Sequence, residues 1–209
     1  MRAANRPKPS KKKRSFPGSE LLTGTPEEIL QRIFDGDPLG LMPRIEERVR
    51  KFAILIDEPR IYSATTARIA FDARYFDGDS DVLDWFDHCI DLAVKRLIER
   101  DAEEEKRGIP PAEPFDPYWI AMSKMLGIEP PLARRAIQVF HSLPFLTRRT
   151  FYALTIEGKS LNRWVAEGNG SPEEVRDRLQ YTLIMISTLG KCGLAGPDRA
   201  SGRKEEFDD

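Results

Sequence analysis

Residues 143–186, LPFLTRRTFYALTIEGKSLNRWVAEGNGSPEEVRDRLQYTLIMI, constrain the fold more than any other stretch, because they read as three consecutive helices with two tight joints. The first carries the apolar set Phe145, Leu146, Phe151, Leu154 and Ile156 and stops at Gly158. Ser160 then caps a short helix bearing Leu161, Trp164 and Val165, which ends at Gly168-Asn169-Gly170. Ser171-Pro172-Glu173-Glu174 opens the third helix. The Ser171 hydroxyl can accept from the N–H three residues on, Pro172 fits the first helical position, and Glu174 can reach back to the Ser171 N–H. Val175, Leu179, Leu183 and Ile186 recur at helical spacing and predict one buried face. Trp164, Val175 and Leu179 are expected to meet where the second and third helices cross. Two helices joined by so few polar residues are what a helix-turn-helix requires.

The rest of the chain carries the same periodicity. Thr25-Pro26-Glu27-Glu28 is a second capping box, and the helix after it holds Ile29, Leu30 and Ile33 before Asp35-Gly36-Asp37. Helices are predicted from Leu39 to about Leu55, from Pro59 to Phe76, and from Asp81 to Arg100, the last bearing Leu83, Phe86, Ile90, Val94, Leu97 and Ile98. No stretch alternates with period two for long, so the expected fold is all-α, built as two small helical domains. Asp101 to Gly108 is rich in acids, and Pro110, Pro111, Pro114 and Pro117 follow, which predicts a solvated linker. The expected organisation is a disordered basic tail at 1–24, a helical domain at 25–101, a linker at 102–129, a helix-turn-helix domain at 130–190 and a flexible tail at 191–209. Phe115, Tyr118, Trp119, Ile120, Met122, Met125 and Leu126 form an aromatic and apolar run inside that linker.

Composition excludes several classes of protein. No apolar run approaches the roughly 20 residues that cross a bilayer, and the N-terminus lacks the apolar stretch of a signal peptide. No membrane association and a cytoplasmic location are expected. Cys89 and Cys192 are far apart, His88 and His141 are the two histidines, and none has ligand-spaced neighbours. No metal or cofactor is expected. The chain has no nucleophile elbow, phosphate loop or metalloprotease motif, so enzymatic activity is not expected either. The net charge of −1 hides segregation: residues 1–14 hold seven basic side chains and no acid, and residues 15–130 hold 14 basic and 24 acidic ones. Residues 131–191 hold nine basic and five acidic, which makes them the positive part of the predicted folded region.

The stretch from Leu143-Pro144 through Arg148, Arg149, Phe151 and Leu154, then Glu157-Gly158-Lys159-Ser160, then Ser171, Val175, Arg178-Leu179 and Leu183, resembles region 4 of bacterial RNA polymerase sigma factors of the extracytoplasmic-function type. It covers about a quarter of the chain. Ile29, Ile33 and Gly36-Asp37, with Arg60 to Ile98, more faintly resemble region 2. There Gly78-Asp79 and the helix with Asp81, Asp84, Trp85, Phe86, Asp87 and His88 stand where the family has its polymerase-binding helix. The family's Asp-x-x-Gln signature and its Arg- and aromatic-rich melting helix are absent from this sequence. The run at Phe115–Leu126 reads equally as a displaced remnant of that helix or as a linker segment packed on a domain.

The resemblance implies a sigma-factor-like regulator that binds promoter DNA and docks on core RNA polymerase, with an anti-sigma-like protein as a further partner. Helix 172–188 would enter the major groove, bringing Arg176 and Arg178 to bases or phosphate. Arg148, Arg149, Lys159 and Arg163 would hold the DNA backbone, with Ser160 and Ser171 at the helix starts. Glu174 could accept from a cytosine amino group or serve as a cap. Gly168 and Gly170 stand where the family has apolar residues, and Glu173 and Glu174 place negative charge at the groove. These departures motivate the alternative, a sigma-derived interaction protein without promoter reading.

Overall fold

The computed structural model describes residues 18–34, 36–76, 81–110 and 114–191, with side chains through residue 188. The expected N-terminal and C-terminal tails lie largely outside the described residues, as does the Gly78-Asp79 turn. Among the described residues the chain is helical, without strands: α1 (Pro26–Phe34), α2 (Leu41–Phe52), α3 (Glu58–Asp72), α4 (Val82–Lys106), α5 (Pro117–Leu126), α6 (Pro130–Ser142), α7 (Phe145–Phe151), α8 (Leu161–Ala166) and α9 (Pro172–Lys191). A π-helical turn, Tyr152–Ile156, continues α7. The chain divides into two compact units, one of residues 1–46 with 58–97, the other of residues 47–57 with 98–209.

In the first unit both capping expectations for α1 hold. Thr25 N–H donates to Glu28 Oε2 at 3.0 Å and Glu28 N–H donates to Thr25 Oγ1 at 3.3 Å. Asp37 caps α2 with both carboxylate oxygens, accepting from the N–H groups of Leu41 and Met42 at 2.8 Å each. The apolar stripes of α1, α3 and α4 supply a core that includes Ile29, Ile33, Ile61, Ile69, Phe86 and Ile90. Tyr62 closes the end of α1 by donating to the Ile33 carbonyl at 2.8 Å, and burial, then the Asp37 charge, raises its pKa. Phe86 is a core residue as expected. Cys89 is buried with its thiol pushed up to about 12, by burial first and the Asp72 charge second. His88, its neighbour, is exposed, so the two side chains point different ways.

The second unit corrects the expected linker. Residues 101–106 continue α4 instead of opening a solvated segment, and Glu104 and Glu105 have cationic partners on α6. Glu105 Oε2 accepts from Arg134 Nε (3.0 Å) and Nη2 (2.8 Å), and its Oε1 accepts from Arg135 Nη2 at 2.5 Å. Arg134 also donates to the Ile109 carbonyl and is only 3% exposed. The apolar run at Phe115–Leu126 forms α5, which packs on α6 with Trp119 and Met122 buried. Its N-cap, Asp116, does two jobs: Oδ1 accepts from Tyr118 N–H at 2.9 Å and Oδ2 from Asp57 N–H at 3.1 Å. That second bond anchors an irregular segment, 53–57, in which Ile54, Leu55 and Ile56 are buried. Leu55 N–H donates to His141 Nε2 at 3.0 Å. Buried backbone donors need acceptors, and here side chains from α5 and α6 supply them.

Candidate nucleic-acid interface

The joint between α7 and α8 forms as the sequence predicts. After the π-helical turn, Lys159 N–H donates to the Ala153 carbonyl at 2.9 Å. Ser160 Oγ then accepts from Arg163 N–H at 3.3 Å and starts α8. The second joint also closes as predicted, with Glu174 N–H to Ser171 Oγ at 3.2 Å and Ser171 N–H to Glu174 Oε2 at 2.8 Å. The left-handed positions between α8 and α9 are Gly168 (φ 83°) and Gly170 (φ 107°), not Asn169. Asn169 instead ties the turn. Its Nδ2 donates to the Trp164 carbonyl at 3.1 Å, and its own carbonyl accepts from Arg178 Nη1 at 2.6 Å. The turn is therefore fastened at both ends.

Where α8 and α9 cross, Ala153, Trp164 and Val175 are buried together, with Leu154, Leu161 and Val165 packed around them. Trp164 Nε1 donates to Thr150 Oγ1 at 3.4 Å. Leu179 is only half-buried and Leu183 is exposed. Helix α9 packs on α6 and α7 as well as α8, which turns its buried line to Val175, Thr182 and Ile186. Of the expected stripe Val175 and Ile186 are buried, while Thr182 takes the place between them that Leu179 and Leu183 were expected to fill.

The structure sorts the residues expected to touch DNA into two groups. Arg149 sits over the Trp164 ring, 5.1 Å from its centroid, and pairs with Glu157 at 3.2 Å. Lys159 lies over the same ring, also at 5.1 Å, and pairs with Glu167 at 2.8 Å and Glu157 at 3.7 Å. Arg178 is folded back on the turn and faces Glu174 at 3.9 Å. Arg148 is half-buried, and burial lowers its guanidinium pKa. Arg149, Lys159 and Arg178 thus meet partners within the fold. The exposed group is Ser160, Arg163, Ser171, Glu174 and Arg176, with Arg163 71% exposed and loosely paired to Glu167 at 3.4 Å.

Sequence reasoning missed the carboxylates of Glu157 and Glu167. Glu167 lies four residues after Arg163 on one helix, a readable pair. Its bond to Lys159 spans a joint and has no sequence period. The Lys159 ammonium, hydrogen-bonded to it, holds the Glu167 carboxyl below the usual carboxylate range. Along its outer side α9 exposes Glu173, Arg176, Asp177 and Gln180, then Tyr181, Leu183 and Ile184, so its surface runs from charged to apolar.

The second unit also holds a cavity of about 220 Å³ lined by Leu55, Tyr118, Ala121, Met122, Met125, Phe151, Thr155 and Ile156. Its lining offers two hydroxyls and no carboxylate, imidazole, amine or thiol. Among the described residues no group of three or more His, Cys, Asp or Glu is placed to hold a metal ion. No helix among them is long and apolar enough to cross a membrane. No family model matches this sequence, and no curated protein or solved structure matches it either.

Proposed function

We propose that this chain is a sigma-factor-like transcription regulator whose residues 160–188 act as a helix-turn-helix on duplex DNA. The observation that carries the reading is the build of the two joints. Ser160 and Ser171 cap α8 and α9 on either side of a fastened turn, over a shared Ala153, Trp164 and Val175 core. Such a pair presents the start of its second helix as a rigid unit, as groove reading requires. Arg176 and Arg163 are the cations in this segment with the most exposed positions, and phosphate contact by them would set register. In the first unit, Phe71, Tyr75 and Leu83 are exposed apolar side chains that support docking on a protein such as core RNA polymerase.

The test is fluorescence anisotropy of the full chain on mixed-sequence duplexes across a salt series. Arg176→Ala is expected to weaken binding and to reduce the log–log salt slope by about 1. Absence of binding at low salt by folded protein would overturn the DNA reading.

One observation favours a second reading, a sigma-derived module that binds protein instead. The outer face of α9 opens with Glu173 and Asp177 and passes into Tyr181 and Ile184, all exposed. Carboxylates there repel phosphate, and apolar side chains gain by meeting a partner. Co-purification with core RNA polymerase without DNA binding would select this reading.

A further inference from the structure

The geometry points to a carboxylate clamp: Glu167 holds Lys159 and Arg163 together and off the nucleic-acid phosphates, so that the strength of DNA binding is set by whether this one side chain lets go. The inference rests on the DNA reading above and adds a control element to it. Glu167 uses its two oxygens separately. Oε2 accepts from Lys159 Nζ at 2.8 Å, across the joint between the π-helical turn and α8, and Oε1 faces Arg163 Nε at 3.4 Å along α8. One carboxylate at the end of α8 thus partly neutralises two of the cations that the resemblance assigns to the DNA backbone.

The two holds differ in strength. The Arg163 contact is solvent-exposed, with 71% of the side chain accessible, and exposed pairs are weak and easily exchanged. The Lys159 ammonium is better sheltered. It is 21% exposed, lies 5.1 Å from the Trp164 centroid, and has Glu157 Oε2 at 3.7 Å on its other side. Below it Glu157 also takes Arg149 at 3.2 Å. Phosphate would therefore displace Glu167 first from Arg163 and then from Lys159, while Arg149 stays as part of the fold. Glu167 lies one residue before the turn glycine Gly168, at the exposed end of its helix, where a side chain can swing away without unpacking the Ala153, Trp164 and Val175 core.

The experiment compares full-length Glu167→Gln with Glu173→Gln, which removes an equal charge from the exposed start of α9, and with Glu167→Asp, which keeps the charge but shortens the reach. Binding to a mixed-sequence duplex is measured from low to moderate salt, with near-UV circular dichroism confirming that the aromatic packing of each variant matches wild type. Glu167→Gln is expected to bind several-fold more tightly at low salt than Glu173→Gln, with a salt slope steeper by about 0.9 for each cation released. Glu167→Asp is expected to fall between wild type and Glu167→Gln. Equal binding and slope for Glu167→Gln and Glu173→Gln would overturn the clamp and leave DNA binding intact. If wild type binds no duplex, the DNA reading falls separately, and the clamp is decided on a heparin column: later elution of Glu167→Gln than of Glu173→Gln supports it, and equal elution overturns it. Should Glu167→Gln fail to fold, Glu167→Asp against wild type decides in the same assays, and unchanged binding by it overturns the clamp.

Discussion

At His141 a backbone hydrogen bond fixes a protonation state. Nε2 must be unprotonated to accept from Leu55 N–H at 3.0 Å, so the ring is neutral with its proton on Nδ1. Burial first, and the Arg148 charge second, lower the His141 pKa to about 3. An unfolded histidine titrates near pH 6.5, so the unfolded chain binds the proton more readily. The stability this group contributes is fully present above about pH 6.5 and is lost progressively as pH falls from there toward 3. The melting temperature is expected to drop between pH 7 and pH 5, and His141→Gln, which keeps an acceptor that does not titrate, is expected to flatten that drop in thermal melts. Ala53 shows a different residue-scale constraint. It ends α2 at φ 52° while fully buried, a conformation that costs a non-glycine residue roughly 1–2 kcal/mol. Ala53→Gly removes the strain but also a buried methyl and gains unfolded-state entropy, so denaturant melts are expected to shift by less than about 1 kcal/mol.

The elements show how packing reassigns a stripe that periodicity predicts. Val175 is at 0% exposure in the crossing with α8, while Leu179 is half-buried at its edge. Val175→Ala is expected to cost about 2 kcal/mol from two lost methyl groups and their cavity. Leu179→Ala is expected to fall below the roughly 2–5 kcal/mol of a fully buried leucine. Urea unfolding of the two variants checks the order, and a larger loss at Leu179 would put the crossing elsewhere. Between α4 and α6 the decisive contact is ionic. Glu105→Gln removes the hydrogen-bonded carboxylate from the buried Arg134 but leaves Glu104 Oε2 at 3.5 Å, so it is expected to destabilise by less than the roughly 3–5 kcal/mol of an unpaired buried charge. Glu105→Met with Arg134→Met should recover part of that loss, since it removes the buried guanidinium together with its partner while Arg135 gives up its Glu105 contact.

For the whole molecule, the composition of the second unit matters more than its sequence span. Residues 47–57 belong to it, placing Ile54, Leu55 and Ile56 in a core otherwise built from residues 98–191. A fragment of 98–191 therefore lacks three buried side chains and the N–H donors that meet His141 and Asp116. It is expected to melt at lower temperature than the full chain and to bind a hydrophobic dye, as an incompletely packed core does. A fragment as stable as the full chain and silent to the dye would show that 47–57 is dispensable.

The sequence by itself determined what is local. Thr25 with Glu28 and Ser171 with Glu174 close the capping boxes it predicts, Ser160 starts α8, and the 3.6-residue periodicity makes the described chain all-helical. These bonds join residues a few positions apart, so their geometry follows from backbone sterics and side-chain length alone. Tertiary structure decided which cations are free. Glu105 meets Arg134 and Arg135, and Glu167 meets Lys159, over separations that no helical period encodes. It also decided which line of α9 is buried, because α6 and α7 compete with α8 for that helix. Arg149 and Lys159, the expected backbone contacts, meet partners for the same reason: an aromatic ring and two carboxylates, brought together from the π-helical turn and α8, lie against them.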